Sequence, residues 1–141
     1  MPYSPLLIKP FKEELTGVGV QELLTPQDVD KVMEQDGTTL VIINSVCGCA
    51  AGMARPAIRK IMEDGSIKKP DRIVTVFAGQ ELEATARLRS YMADIPPSSP
   101  SIALFKDKEL VYFLPKFRIE SRDAQSLAGE LSGVFEEFIA Q

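Results

Sequence analysis

Two thiols, Cys47 and Cys49, are the only cysteines in the chain, and a single glycine, Gly48, separates them. They stand in the stretch NSVCGCAAG, directly after the apolar run Leu40-Val41-Ile42-Ile43. A thiol reacts, and binds metal, as its thiolate, and a free cysteine with a pKa of about 8.5 is mostly protonated at neutral pH. A turn from a strand into a helix addresses this. The unpaired N–H groups of the first helical turn can bond to sulfur, and the helix dipole favours negative charge there. Cys47 falls at such a turn, and Gly48 takes a Cβ out of the bend.

On a regular helix, side chains two residues apart diverge by about 200°. A disulfide needs its Cβ atoms roughly 3.5–4.5 Å apart. A Cys47–Cys49 bond therefore requires Cys47 to leave the helix, and the small ring is strained. Strain raises a reduction potential and makes the bond easy to pass on. This is the pattern of a catalytic disulfide, more oxidising than thioredoxin at about −270 mV. Two other readings of the pair stand beside it. Both cysteines can be buried and inert, or two thiolates can hold a soft ion such as Cu(I) in a metal-binding or carrier module. Histidine is absent, which removes Ser/His and Cys/His catalysis and most zinc site types.

The surrounding chain is that of an ordinary soluble domain. Its 141 residues suit one domain with one core, and 45% of them are apolar. Twenty acidic residues against 16 basic ones leave a net charge of −4, with no block of like charge. Neither nucleic acid nor an anionic membrane is indicated as a partner. The N-terminus MPYSPLLIKPFKEELTG does not read as a signal peptide, because Leu6-Leu7-Ile8 is too short and charges follow it. No apolar run approaches the roughly 20 residues that span a bilayer. The cytoplasm is the expected location, where paired cysteines point to redox chemistry or metal rather than to a structural disulfide.

The elements that position the thiols follow from pattern. A short helix over about Pro10–Leu15 ends before Gly17 and Gly19, and residues 1–19 form an N-terminal extension. Val20–Leu24 is expected as a short strand. Thr25-Pro26-Gln27-Asp28 is a helix start, with a threonine cap, proline at the first helical position and an acid three residues after the cap. That helix is expected to run to Asp36, with Gly37 closing it. Leu40–Ile43 is apolar without alternation, so it is a central strand covered on both faces. A helix over about Cys49–Glu63 then buries Met53, Ala57, Ile58 and Ile61. Pro56 inside it costs a hydrogen bond and predicts a kink. Arg72–Phe77 is a second buried strand, followed by a helix from Gly79 to about Met92. Ser101–Phe105 and Leu110–Leu114 form a hairpin. A last amphipathic helix covers roughly Ser121–Ile139. Strand and helix alternation predicts an α/β fold, a central mixed sheet with helices on both faces, whose ligands gather at the carboxyl ends of its strands.

Ser99-Pro100 ahead of the strand Ser101–Phe105, taken with VCGC after an apolar strand, resembles a thioredoxin-like fold. In that fold a cis proline faces the active cysteines. NSVCGCAAGMARPA, PDRIVTVFAGQELEATARLR and PPSSPSIALFKDKELVYFLP, with EELTGVGVQELLTPQDVDK, are similar to the bacilliredoxin family over nearly the whole chain. The resemblance implies a cytoplasmic thiol–disulfide oxidoreductase that needs no organic cofactor. Its partners would be protein mixed disulfides carrying a low-molecular-weight thiol of the bacillithiol type, or disulfide-bonded clients of an isomerase. It makes Cys47 the nucleophile and Cys49 its partner.

Gly48, Arg55, Ser99 and Pro100 are the expected substrate-binding residues. The backbone of Ser99 can pair with a substrate strand beside Cys47. Arg55 and Arg59 can bind carboxylates of a small thiol, or stand on a solvated helix face. Ser45 can donate to a thiolate, or simply form the turn. The chain departs from its relatives in two places. Lys116-Phe117-Arg118 stands where the family often carries histidine. Leu40–Ile43 also lacks the buried acid that thioredoxin has there, which leaves proton transfer to water or to the second thiol.

Overall fold

The computed structural model describes residues 3–139. Its elements are α1 (Pro5–Thr16), β1 (Gln21–Glu22), α2 (Pro26–Met33), β2 (Thr38–Asn44), α3 (Arg55–Glu63), β3 (Arg72–Phe77), α4 (Leu82–Ser90), β4 (Ser101–Lys106), β5 (Glu109–Leu114), α5 (Lys116–Glu120) and α6 (Ala124–Phe138). A five-residue π-helical segment, Ala50–Ala54, leads into α3.

The five strands lie in the order β1-β3-β2-β4-β5. β1 and β2 both run parallel to β3, and β4 is antiparallel to β2 and β5. β2 is central, and each of its residues is buried. Leu40 and Ile42 face a core with Ala57, Ile58 and Ile61 of α3 and Leu127, Leu131 and Phe135 of α6. Val41 and Ile43 face the opposite core, with Val29 and Val32 of α2 and Leu88 of α4. Alternate side chains of a strand point to opposite faces, so a strand with a helical layer on each side must be apolar throughout. This explains the missing alternation in Leu40–Ile43.

Local signals place most boundaries. Thr25 Oγ1 accepts the Asp28 N–H at 3.1 Å, the cap expected for α2. The β4–β5 turn is made by Asp107 and Lys108, both with positive φ, the backbone that a two-residue hairpin loop demands. Other boundaries move. α1 starts at Pro5 rather than near Pro10, and the expected strand Val20–Leu24 shrinks to Gln21–Glu22. The helix expected to run to Asp36 ends at Met33, and that expected from Gly79 begins at Leu82. The last helix, expected from about Ser121, begins at Ala124, and an unexpected short helix precedes it. Lys116–Glu120 forms a short α5 after Pro115, and Asp123 caps α6 by accepting the Ser126 N–H.

The helix after the cysteines also differs from expectation. A proline lacks an N–H and its ring crowds the carbonyl four residues back. The chain widens into the π-helical turn just ahead of Pro56, where Arg55 N–H reaches Ala50 O. Met53 is consequently only half-buried, while Ala54 and Arg55 turn fully inward.

Candidate active site

β2 ends at Asn44, and Ser45 and Val46 carry the chain out of the sheet. Asn44 Oδ1 accepts the Ser45 N–H at 2.9 Å, and Ser45 Oγ accepts the Cys47 N–H at 3.1 Å. These side-chain bonds satisfy backbone donors that the sheet has released. The carbonyl of Cys47 then accepts from the N–H groups of Ala50 and Ala51, so Cys47 stands immediately before the first helical turn. Helical geometry begins at Gly48, and Cys47 itself is outside it.

That exit brings the two sulfurs together, at 2.8 Å between Cys47 Sγ and Cys49 Sγ. Both are free thiols, Cys47 half-buried and Cys49 buried. Their environments separate their acidities. The Cys49 thiol, hydrogen-bonded to Cys47, is the main cause that holds the Cys47 pKa below the ordinary thiol value. The N–H groups of Cys49 and Ala50 and the charge of Lys116 add to this against the opposing effect of burial. Burial is the main cause that pushes Cys49 up to about 11, assisted by its bond to Cys47 and by the neighbouring negative charge. Cys47 is therefore the more acidic of the two sulfurs, and the inner sulfur keeps its proton to the higher pH. The helix-terminal amides contribute as expected, but the second thiol contributes more.

Ser99–Pro100 is cis, in the loop before β4. Pro100 is buried, and Ser99 lines a cleft of about 320 Å³ together with Cys47, Ser45, Val46, Ala78, Gly79, Arg89 and Tyr3. The neighbouring Ser98 accepts the backbone N–H of Lys116 on its Oγ at 3.3 Å, which ties the start of α5 to the same loop. The thiols, the proline loop and Lys116 thus meet at one end of the sheet.

Two expectations are corrected here. Arg55 neither faces solvent nor lines the cleft, since it is 1% exposed. Its Nε donates to Glu14 at 3.0 Å, and its Nη1 donates to Asn44 Oδ1 at 3.0 Å and to Ser45 O at 2.8 Å. Its guanidinium also stacks on Phe11, 4.7 Å from the ring centre. A buried cation persists only when paired and hydrogen-bonded, and α1 supplies the pair. The second correction concerns Gly48. Its φ is not in the left-handed region, and a Cβ there would meet nothing within 4 Å. The turn does not need glycine, and the absent side chain leaves the approach to the sulfurs open. Ser45 Oγ accepts the Cys47 N–H, the turn-forming one of its two readings. Arg59 lies on the surface, 3.8 Å from Glu14.

Sequence reasoning missed Glu14, Phe11, Asn44 and Arg89. Only Asn44 carried a signal, as a polar residue closing an otherwise apolar central strand. Among the described residues, no group of three or more His, Cys, Asp or Glu is placed to hold a metal ion, so the two thiols have no third ligand of those types.

The disulphide isomerase family matches residues 3–139. A bacilliredoxin of Halalkalibacterium halodurans is 53% identical over 137 residues, covering 96% of this chain and 93% of its own. A bacilliredoxin of Salinibacter ruber is 51% identical over 140 residues, covering 98% and 82%. In fold the chain is similar to the Malassezia sympodialis thioredoxin, with a TM-score of 0.59 at 14% identity over 86% of this chain and 92% of the other. Mitochondrial thioredoxin 3 from Saccharomyces cerevisiae gives a TM-score of 0.56 at 16% identity over 87% and 98%. The mixed sheet with helices on both faces is a thioredoxin fold, and the chain belongs to the bacilliredoxin family of thiol–disulfide oxidoreductases.

Proposed function

We propose that the protein removes a low-molecular-weight thiol of the bacillithiol type from mixed disulfides on client proteins, with Cys47 as nucleophile and Cys49 as resolving thiol. The observation that carries this reading is the approach of the two sulfurs to 2.8 Å, with Cys47 the more exposed and its acidity raised by Cys49. The names of the curated relatives support the substrate class.

In the first step the Cys47 thiolate attacks the small-thiol sulfur of the mixed disulfide. A bond forms between Cys47 and the small thiol, and the client sulfur leaves as thiolate and takes up a proton. In the second step Cys49 gives up its proton, which passes to the departing small thiolate. Cys49 attacks Cys47, and the small thiol is released. The dithiol has lost two electrons and the mixed disulfide has gained them, so an external thiol must reduce the Cys47–Cys49 disulfide before the next cycle. β2 carries no acid, which leaves water and Cys49 as the proton carriers at this turn.

Ser99 and Pro100 shape the substrate groove beside Cys47, and Gly48 keeps it accessible. The cytoplasm, where mixed disulfides of small thiols form and are reduced, suits this role. No helix among the described residues is long and apolar enough to cross a membrane. The family description favours a second reading, a disulfide isomerase, in which Cys49 frees Cys47 for another attempt at pairing.

Mass spectrometry of a Cys49→Ala variant exposed to cell extract under oxidative stress tests the first reading. A small thiol linked to Cys47 is the expected adduct. Adducts with client proteins alone would favour the isomerase, and no adduct on Cys47 would sink both.

A further inference from the structure

Arg89, in the last turn of α4, differs from the chain's other arginines. Arg55, Arg59, Arg87, Arg118 and Arg122 each have a carboxylate partner. Arg72 hydrogen-bonds through Nε, Nη1 and Nη2. Arg89 instead donates from Nη2 to the Ser98 carbonyl at 3.3 Å, and its Nε is buried without a hydrogen-bond partner among the described residues. Burial pulls its pKa below the usual guanidinium value, with no carboxylate to oppose the effect. A desolvated cation in this state is unfavourable alone and gains most from meeting an anion.

Arg89 also borders the cleft of about 320 Å³ that contains Cys47 and Ser99. No aspartate or glutamate lines that cleft. Tyr3 forms one wall, lying so close to Gly79 that a Cβ there would come within 2.9 Å of its ring. The volume lies at the small end of ligand pockets, near 300 Å³, which suits a small molecule rather than a folded segment. Ser98, which accepts from Arg89 Nη2 on its carbonyl, also accepts the backbone N–H of Lys116 on its Oγ, so Arg89 and the start of α5 are tied to the same loop.

We propose that Arg89 is the specificity-determining residue of the cleft, binding a carboxylate of the small thiol while Cys47 attacks that thiol's sulfur. This role rests on the de-thiolation reading above and adds the chemistry that the site selects, a thiol bearing an anionic group. The guanidinium fork presents two donors to a carboxylate, and it favours attack on the small-thiol sulfur by placing that sulfur next to Cys47.

Two measurements test it. The first is the rate at which Cys47 is alkylated by iodoacetate relative to iodoacetamide, a ratio in which the thiolate fraction cancels. The second is release of 3-mercaptopropionate relative to 2-mercaptoethanol from mixed disulfides on a single-cysteine client peptide. Arg89→Gln is expected to lower both ratios roughly tenfold, the scale of one charge-assisted hydrogen bond, while the neutral members change little. Arg89→Lys is expected to recover part of the loss. If Arg89→Gln slows anionic and neutral partners alike, or alters neither ratio, the residue is only structural and the proposal is overturned. If the alkylation ratio falls but the wild-type protein releases neither thiol, the de-thiolation reading fails and takes the assigned substrate with it. Release of both thiols with an unchanged ratio defeats the Arg89 role alone.

Discussion

Arg55 Nη1 donates to the carbonyl oxygen of Ser45 at 2.8 Å, two residues before Cys47. The same guanidinium holds Asn44 and is itself held by Glu14 and Phe11 of α1. The N-terminal helix is therefore part of the scaffold of the thiol turn. It packs through Ile8 and Leu15, and Asn44 Nδ2 donates to Phe11 O at 3.2 Å.

Replacing Arg55 by methionine removes these bonds and leaves Asn44 and Ser45 without their buried donor. Breaking a buried, hydrogen-bonded pair from one side costs about 3 kcal/mol or more. Urea denaturation is expected to show a loss of that order. Arg55→Lys should recover little, because a single ammonium cannot reach three acceptors in the guanidinium's geometry. Full stability in Arg55→Met would mean that the turn holds itself.

The acidity of Cys47 depends first on Cys49. Its depressed pKa means that the thiolate persists to lower pH than in a free cysteine. The alkylation rate is therefore expected to reach half its plateau below about pH 8.5. In Cys49→Ala that midpoint should rise, since the largest stabilising contact is gone. A stabilised thiolate also favours the reduced pair, so equilibration against glutathione should give a potential above about −270 mV. A midpoint unmoved by Cys49→Ala would transfer the effect to the amides and Lys116.

Gly48→Ala separates folding from access. Its Cβ would enter open space, and alanine is the better helix former, so stability should change by less than about 1 kcal/mol and upward. Turnover of a protein-borne mixed disulfide is expected to fall severalfold while that of a small disulfide holds. Equal turnover of both would remove Gly48 from the substrate surface.

Glu130 joins three elements, accepting from Tyr112 of β5, from Arg118 of α5 and from Arg122 before α6. Burial raises its pKa, but the bonds from Tyr112 and Arg122 outweigh this and hold it below the ordinary 4.5. A depressed carboxylate contributes stability that is complete above the unfolded value and is lost as pH falls through the lower folded one. Glu130→Gln should therefore cost on the order of 1–2 kcal/mol at pH 7 and much less at pH 3. Denaturation midpoints at the two pH values decide it, and an equal loss at both would mean that charge is not involved.

Much of this protein was legible in its residues before any contact was known. The unbroken apolar run of β2 can only be a strand covered on both sides, and Thr25 to Asp28 states the start of α2 through local bonds. For the two thiols to bond, their two-residue spacing required Cys47 to lie outside the helix, because helical geometry separates such neighbours. These features depend on periodicity or on partners within a few residues. The places of Arg55 and Arg89 do not. Arg55 finds Glu14 41 residues earlier in the chain, and Arg89 meets Cys47 only across the cleft between α4 and the end of β2. Both read alike in sequence, as arginines on amphipathic helices. Tertiary packing buried one with a carboxylate and left the other beside the thiols without one. The physical reason is that a charge is stable inside a protein only with a partner, and the partner's position is set by the fold as a whole.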